Sequence, residues 1–121
     1  MTQNKNRPIK NTNKPNNGLN CPLFILDISF MRDIFSNINP RNPLFLEILK
    51  RKQTGMPMKV ITTSAAFARA IYLSDNKCNI SNVKLILSLV DLQSSTVDFK
   101  DELAVTRELN TFMNTISRGD L

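Results

Sequence analysis

Residues 23–29 read LFILDIS, and this stretch decides the fold of the chain. Its leading apolar residues predict a short strand that is buried in a sheet. The strand ends at Asp27, which is the first acidic residue of the sequence. Because ligands and metals bind beyond the carboxyl ends of the strands in open α/β sheets, Asp27 is a candidate catalytic residue and metal ligand. The alternative is that Asp27 caps the helix that follows, with Ser29 beside it.

Helical and strand patterns alternate through the rest of the chain. In chain order, the predicted elements are a strand over 23–27, helices over 28–35 and 44–52, a strand over 59–62, helices over 65–73 and 83–92, a strand over 96–99 and a helix over 101–118. The expected helix caps are Asn42, followed by Pro43, then Thr63 or Ser64, and then Ser81 or Asn82. This order predicts an α/β fold with three layers, in which helices flank a short, mainly parallel sheet.

The first 20 residues differ in composition from the remainder. They contain seven Asn, two Pro, no acid and four basic residues, namely Lys5, Arg7, Lys10 and Lys14. So few apolar side chains cannot offset the entropy of ordering, which predicts a disordered basic tail ahead of a folded domain over 21–121. Basic side chains attract phosphate backbones, so the tail is a candidate nucleic-acid-binding segment. The alternative is a solvated tail that only keeps the protein in solution.

Several classes of function are excluded or disfavoured by composition. The chain contains no His, so no Ser-His nucleophile exists, and a zinc site has too few ligands. Cys21 and Cys78 are isolated, which fits a reducing compartment, while a disulfide between them stays open. No stretch has the apolar length of a membrane span or a secretory signal. We therefore expect a cytoplasmic protein without a membrane partner.

Three segments together resemble the PIN domain, and the similarity covers residues 22–121. These segments are Asp27-Ile28-Ser29 after the first strand, Val60-Ile61-Thr62-Thr63-Ser64 before a helix, and Val97 with the long helix that leads to Arg118-Gly119-Asp120. The resemblance implies the fold of a metal-dependent ribonuclease in which three or four carboxylates converge at one end of a parallel sheet. Such carboxylates hold Mg²⁺ or Mn²⁺ ions, which orient a water and neutralise the phosphodiester transition state.

Residue by residue, the family's acids match this sequence only in part. Asp27 matches the first acid, and Asp120 has a plausible separation for the third, so the implied metal ligands are Asp27 and Asp120. The second acid should fall near Arg69 or Ala70, where the sequence has no carboxylate. The fourth acid and the elements around it are missing. The resemblance therefore implies either a degenerate PIN-like domain or a piece of a longer one.

Three hypotheses about function follow. The first is a degenerate PIN-like module that binds nucleic acid or a protein and lacks nuclease activity, with RNA contacted by the tail and Ser29. The second is an Mg²⁺ or Mn²⁺ ribonuclease whose missing acids come from beyond Leu121 or from another subunit. The third is a small structural or accessory protein that binds neither RNA nor metal. Apolar helix surfaces would also allow a homodimer.

Two charged clusters have a plainer interpretation. Asp98, Asp101 and Glu102 are predicted to start the last helix, because carboxylates interact favourably with a helix N-terminus. Residues 50–52, with the sequence KRK, are predicted to form the solvated last turn of a helix, with contact to phosphate as the alternative.

Overall fold

The computed structural model describes residues 21–117, and these form an α/β fold around a three-stranded parallel sheet. The strands are β1 (Leu23–Ile25), β2 (Lys59–Thr63) and β3 (Asp91–Gln93), in the spatial order β1-β2-β3. The α-helices are α1 (Ile28–Phe35), α2 (Pro43–Thr54), α3 (Ser64–Ser74), α4 (Ile80–Leu89) and α5 (Glu102–Ser117). The predicted fold class is confirmed. The predicted tail over 1–20 and the segment 118–121 lie outside the described residues.

The central strand β2 is covered on both of its faces. Four successive residues, Val60 through Thr63, are buried. Side chains alternate between the two faces of a strand, so burial of consecutive residues requires packing on each side of the sheet. The Thr62 hydroxyl also donates a hydrogen bond of 2.7 Å to the carbonyl of Leu26, which ties β2 to the end of β1. This double coverage explains why β2 is a continuous apolar and β-branched run.

The core lies where α1 and α3 pack together. The ring of Phe35 meets that of Phe67 edge to face, with 5.3 Å between the ring centroids. Small side chains of α3 are fully or almost fully buried in the same cluster, namely those of Ala65, Ala66 and Ala70. Because alanine adds little bulk, α3 approaches its neighbours closely, as the run of small residues suggests.

Local capping chemistry sets the ends of α2 and α3. The Asn42 side chain accepts hydrogen bonds from the N–H groups of Leu44 and Phe45, and Pro43 is the first residue of α2. Gly55 ends that helix in the left-handed conformation, with φ of 70°. Thr63 caps α3 by accepting from the N–H of Ala66. The predicted caps of these two helices are confirmed.

Two sequence predictions about the second half of the chain are wrong. The third strand is β3 and not residues 96–99, which form a loop whose alternating apolar residues, Val97 and Phe99, pack against the core without strand pairing. Helix α4 starts three residues before the predicted position 83. Its cap is Asn79, whose N–H is held by the carbonyl of Phe35 at 2.6 Å. Both errors arise because contacts distant in sequence fix these boundaries.

Candidate functional site

Asp27 lies between β1 and α1, at the carboxyl edge of the sheet. It is the N-cap of α1, and its Oδ1 accepts a hydrogen bond of 2.8 Å from the N–H of Phe30. The capping interpretation of Asp27 is therefore confirmed. The side chain remains exposed, so its carboxylate also borders the solvent at this edge.

A crevice with a volume of about 330 Å³ opens beside Asp27. It lies between the first turns of α1, the second half of α3 and one face of α5. Its polar lining consists of Asp27, Ser29, Arg32, Arg69, Glu102, Thr106 and Asn110. Its apolar lining consists of Ile28, Leu73, Leu109 and Met113. This crevice lies at the carboxyl end of β1, where the sequence predicts a site, and Ser29 borders it.

The most deeply buried charged group of this crevice is the guanidinium of Arg69. Only 9% of its side chain is exposed. Its Nη1 donates to the carbonyls of Phe99 and Lys100, each at 3.1 Å, and its Nη2 donates to Oε1 of Glu102 at 3.3 Å. Its Nε is buried and has no hydrogen-bond partner among residues 21–117. Arg69 therefore ties α3 to the loop before α5 while one of its donors stays unused.

Asp101 and Glu102 start α5, as the sequence predicts, whereas Asp98 lies in the loop before that helix. Asp101 accepts from the N–H of Ala104 at 3.1 Å, and Asp98 accepts from the N–H of Lys100 at 2.9 Å. Glu102 stands in the first turn of α5 and is 76% exposed. Glu102 also forms an ion pair with Arg69, which the sequence did not predict.

The charges that line the crevice balance one another. Asp27 and Glu102 are acidic, whereas Arg32 and Arg69 are basic. Arg32 in turn pairs with Asp33, with 3.1 Å between Nη2 and Oδ1. Within the described range 21–117, no group of three or more His, Cys, Asp or Glu residues is placed to hold a metal ion. The implied ligand Asp120 lies outside that range, so a metal pair at Asp27 and Asp120 stays a prediction.

Sequence reasoning placed a missing acid near Arg69 but did not anticipate what the arginine does there. The signal was present, because Arg69 is the lone charge in the apolar, alanine-rich sequence of α3. A charged residue in such a context has to be paired if it is buried. Its partners, however, lie about 30 residues downstream, on the loop that precedes α5. No local pattern could have identified them.

The remaining predicted site residues fall outside this crevice or outside the described chain. Lys5, Arg7, Lys10 and Lys14 precede residue 21, where the description begins. Cys21 and Cys78 are both free thiols, so no disulfide joins them. Among the helices between residues 21 and 117, none is long and apolar enough to cross a bilayer.

Comparison with known proteins adds no assignment: no protein-family model, no curated protein and no solved structure matches this chain. The resemblance to the PIN domain therefore stays a prediction.

Proposed function

We propose that the chain is a nucleic-acid-binding module with a degenerate PIN-like fold, that it lacks nuclease activity, and that its partner is RNA. One observation carries this proposal: the charged residue that α3 contributes to the crevice beside Asp27 is Arg69, with a buried guanidinium, and not a carboxylate. A guanidinium repels divalent cations and binds phosphate oxygens. A basic side chain near the position where the resemblance implies an acid favours RNA binding over metal-dependent hydrolysis.

The distribution of basic residues supports the same proposal. Residues 1–20 contain four basic side chains and no acid, and the stretch 48–74 contains five basic side chains and no acid. Lys50, Lys52 and Lys59 in the second stretch are exposed. The N–H of Lys59 bonds to the carbonyl of Pro22 at 2.9 Å, so the basic N-terminal segment joins the domain next to this lysine. Such charge attracts a phosphate backbone independently of its sequence.

The direct test is the salt dependence of RNA binding by the full chain, measured by fluorescence anisotropy with a labelled single strand. The variant K5Q/R7Q/K10Q/K14Q removes four charges from the N-terminal segment. The slope of log K against log[salt] is negative, and each lost phosphate contact reduces its magnitude by about 0.7 for single strands. The loss of four contacts therefore reduces the magnitude by about 3. The matched control is R41Q/K77Q/K84Q/R107Q, because these four basic side chains are exposed and none of them forms an ion pair within residues 21–117.

The proposal requires the control to keep a steeper slope than the N-terminal variant. Equal slopes for both variants would remove the N-terminal segment from the binding surface. Absence of RNA binding at low salt would overturn the proposal and leave a protein partner or a purely structural role. Cleavage of RNA in Mg²⁺ or Mn²⁺ that disappears in D27N would establish the ribonuclease hypothesis instead.

A further inference from the structure

We propose that the crevice beside Asp27 binds a phosphomonoester, such as the terminal phosphate of an RNA strand, through the guanidinium of Arg69, and that Glu102 occupies this position until the phosphate displaces it. This inference rests on the proposed RNA-binding function and specifies which part of the RNA the crevice takes. The RNA backbone elsewhere is left to the basic segments described above.

The first support is the unused edge of the Arg69 guanidinium. A guanidinium presents Nε and Nη2 along one edge, and this edge binds the two oxygens of a phosphate or carboxylate side by side. In Arg69 the Nη1 atom is occupied by two backbone carbonyls, which fix the plane of the group. On the other edge, within the part of the chain that the structure describes, Nη2 has one contact at 3.3 Å, and Nε is buried without a partner. Arg69 is therefore rigidly held with a bidentate edge that is only half used.

The second support is the exposed position of Glu102. Its side chain is 76% exposed, and a single long contact of 3.3 Å joins it to Arg69. Ion pairs with one exposed partner contribute little stability, because solvent screens them and the flexible carboxylate loses entropy when it is held. A dianionic phosphate that engages both Nε and Nη2 gains more than Glu102 does. Displacement of Glu102 into solvent leaves the first turn of α5 intact, because the N-cap there is Asp101.

The third support comes from the groups that surround the same edge. Ser29 borders the crevice and lies in the first turn of α1, whose leading N–H groups have no partner within the helix. Thr106 and Asn110 of α5 add a hydroxyl and an amide. The negative charge of Asp27 disfavours an anion here, although its Oδ1 accepts a hydrogen bond from the N–H of Phe30. The crevice thus offers neutral donors beside the fixed cation Arg69. Arg32 is paired with Asp33, and displacement of Glu102 leaves Asp27 as the one acidic residue among the described residues that line the crevice.

The size of the crevice indicates a terminal group. A volume of about 330 Å³ is at the lower end of small-ligand pockets. It accommodates a phosphate with part of one nucleoside, whereas a continuous strand would have to leave through both sides. Leu109 and Met113 provide apolar surface for the attached sugar.

The test compares RNA strands of one sequence that carry a 5′-phosphate, a 3′-phosphate or hydroxyls at both ends, each titrated against the full chain. We expect at least one phosphorylated strand to bind about tenfold more tightly than the hydroxyl strand, in keeping with the strength of charge-assisted hydrogen bonds. E102Q removes the competing carboxylate and should enlarge this preference about threefold or more. The matched control D91N removes an exposed carboxylate outside the crevice and should leave the preference unchanged.

Competition with inorganic phosphate and with adenosine monophosphate separates the sources of the phosphate. Loss of the preference in the presence of either competitor supports a phosphate site. If adenosine monophosphate binds tightly and the phosphorylated strands bind no better than the hydroxyl strand, the crevice does not bind the end of an RNA strand, and the proposal is overturned. R69K keeps the charge but loses the bidentate edge, so it should abolish the preference while circular dichroism shows a folded chain.

Failure of this inference is distinguishable from failure of the proposed function. Equal affinity for phosphorylated and hydroxyl strands, in both the natural sequence and E102Q, overturns the phosphate site but leaves RNA binding in place. Absence of binding to every strand overturns both.

Discussion

Replacement of Asp27 separates its capping role from any role in catalysis. In D27A the N–H of Phe30 loses its acceptor at the start of α1. Loss of an N-cap side chain costs about 1 kcal/mol, within a range of about 0.5–2 kcal/mol. In D27N the amide oxygen still accepts the hydrogen bond, and asparagine is as good a cap as aspartate. We therefore expect D27A to be destabilised by about 1 kcal/mol and D27N to keep nearly the full stability.

The measurement is urea unfolding followed by circular dichroism, together with a thermal scan. For a domain of this size, a loss of about 1 kcal/mol lowers Tm by roughly 4–8 °C. A matched control is N42A, since Asn42 caps α2 through hydrogen bonds to two backbone N–H groups and has no contact with the crevice. Its loss of stability should equal or exceed that of D27A.

If D27A is as stable as the natural chain, Asp27 contributes nothing as a cap and the capping role is refuted. If D27N loses as much stability as D27A, the negative charge of Asp27, and not its hydrogen bond, stabilises this end of α1. A gain in stability on addition of Mg²⁺ or Mn²⁺ that is present in the natural chain and absent in D27N would show that Asp27 binds a metal.

Three further predictions concern the fold that supports the crevice. F35A removes a fully buried ring from the contact between α1 and α3 and should cost about 3–5 kcal/mol in urea unfolding. T62V removes the buried hydroxyl that donates to Leu26 and should cost about 1–3 kcal/mol, whereas no loss would mean that the carbonyl finds another donor. G55A should lower the free energy of unfolding by about 1 kcal/mol. An added Cβ at Gly55 meets no atom within 4 Å, so this cost comes from the left-handed backbone alone, with φ of 70°. An unchanged Tm would contradict this prediction.

Local patterns predicted most of the helices but misplaced the third strand. The caps Asn42 and Thr63 could be read from the sequence, because each contacts backbone groups two or three residues away. By contrast, β3 is three residues long and pairs with β2 by placing Asp91 opposite Ile61. Neither its composition nor its length marks it as a strand. The parallel pairing across about 30 residues is what selects it.

The start of α4 shows the same dependence on distant contacts. Ser81 and Asn82 have the composition of caps, yet Asn79 is the residue used. The Asn82 side chain instead donates to the carbonyl of Ile34 at 2.9 Å, which binds α4 to the end of α1. Among several residues that could cap a helix, packing between helices decides which one does.

The sequence by itself determined the α/β class, the mainly parallel sheet, the caps of α2 and α3 and the position of Asp27 at the carboxyl end of β1, because these depend on hydrophobic periodicity and short-range hydrogen bonds. Only the tertiary structure decided what that site contains. It joins Arg69 to Glu102 and to the backbone of the loop before α5, although these partners lie 30 to 33 positions after Arg69 in the sequence. A buried guanidinium needs oxygen atoms as hydrogen-bond acceptors. The fold decides which oxygen atoms surround it, and no local sequence pattern indicates them.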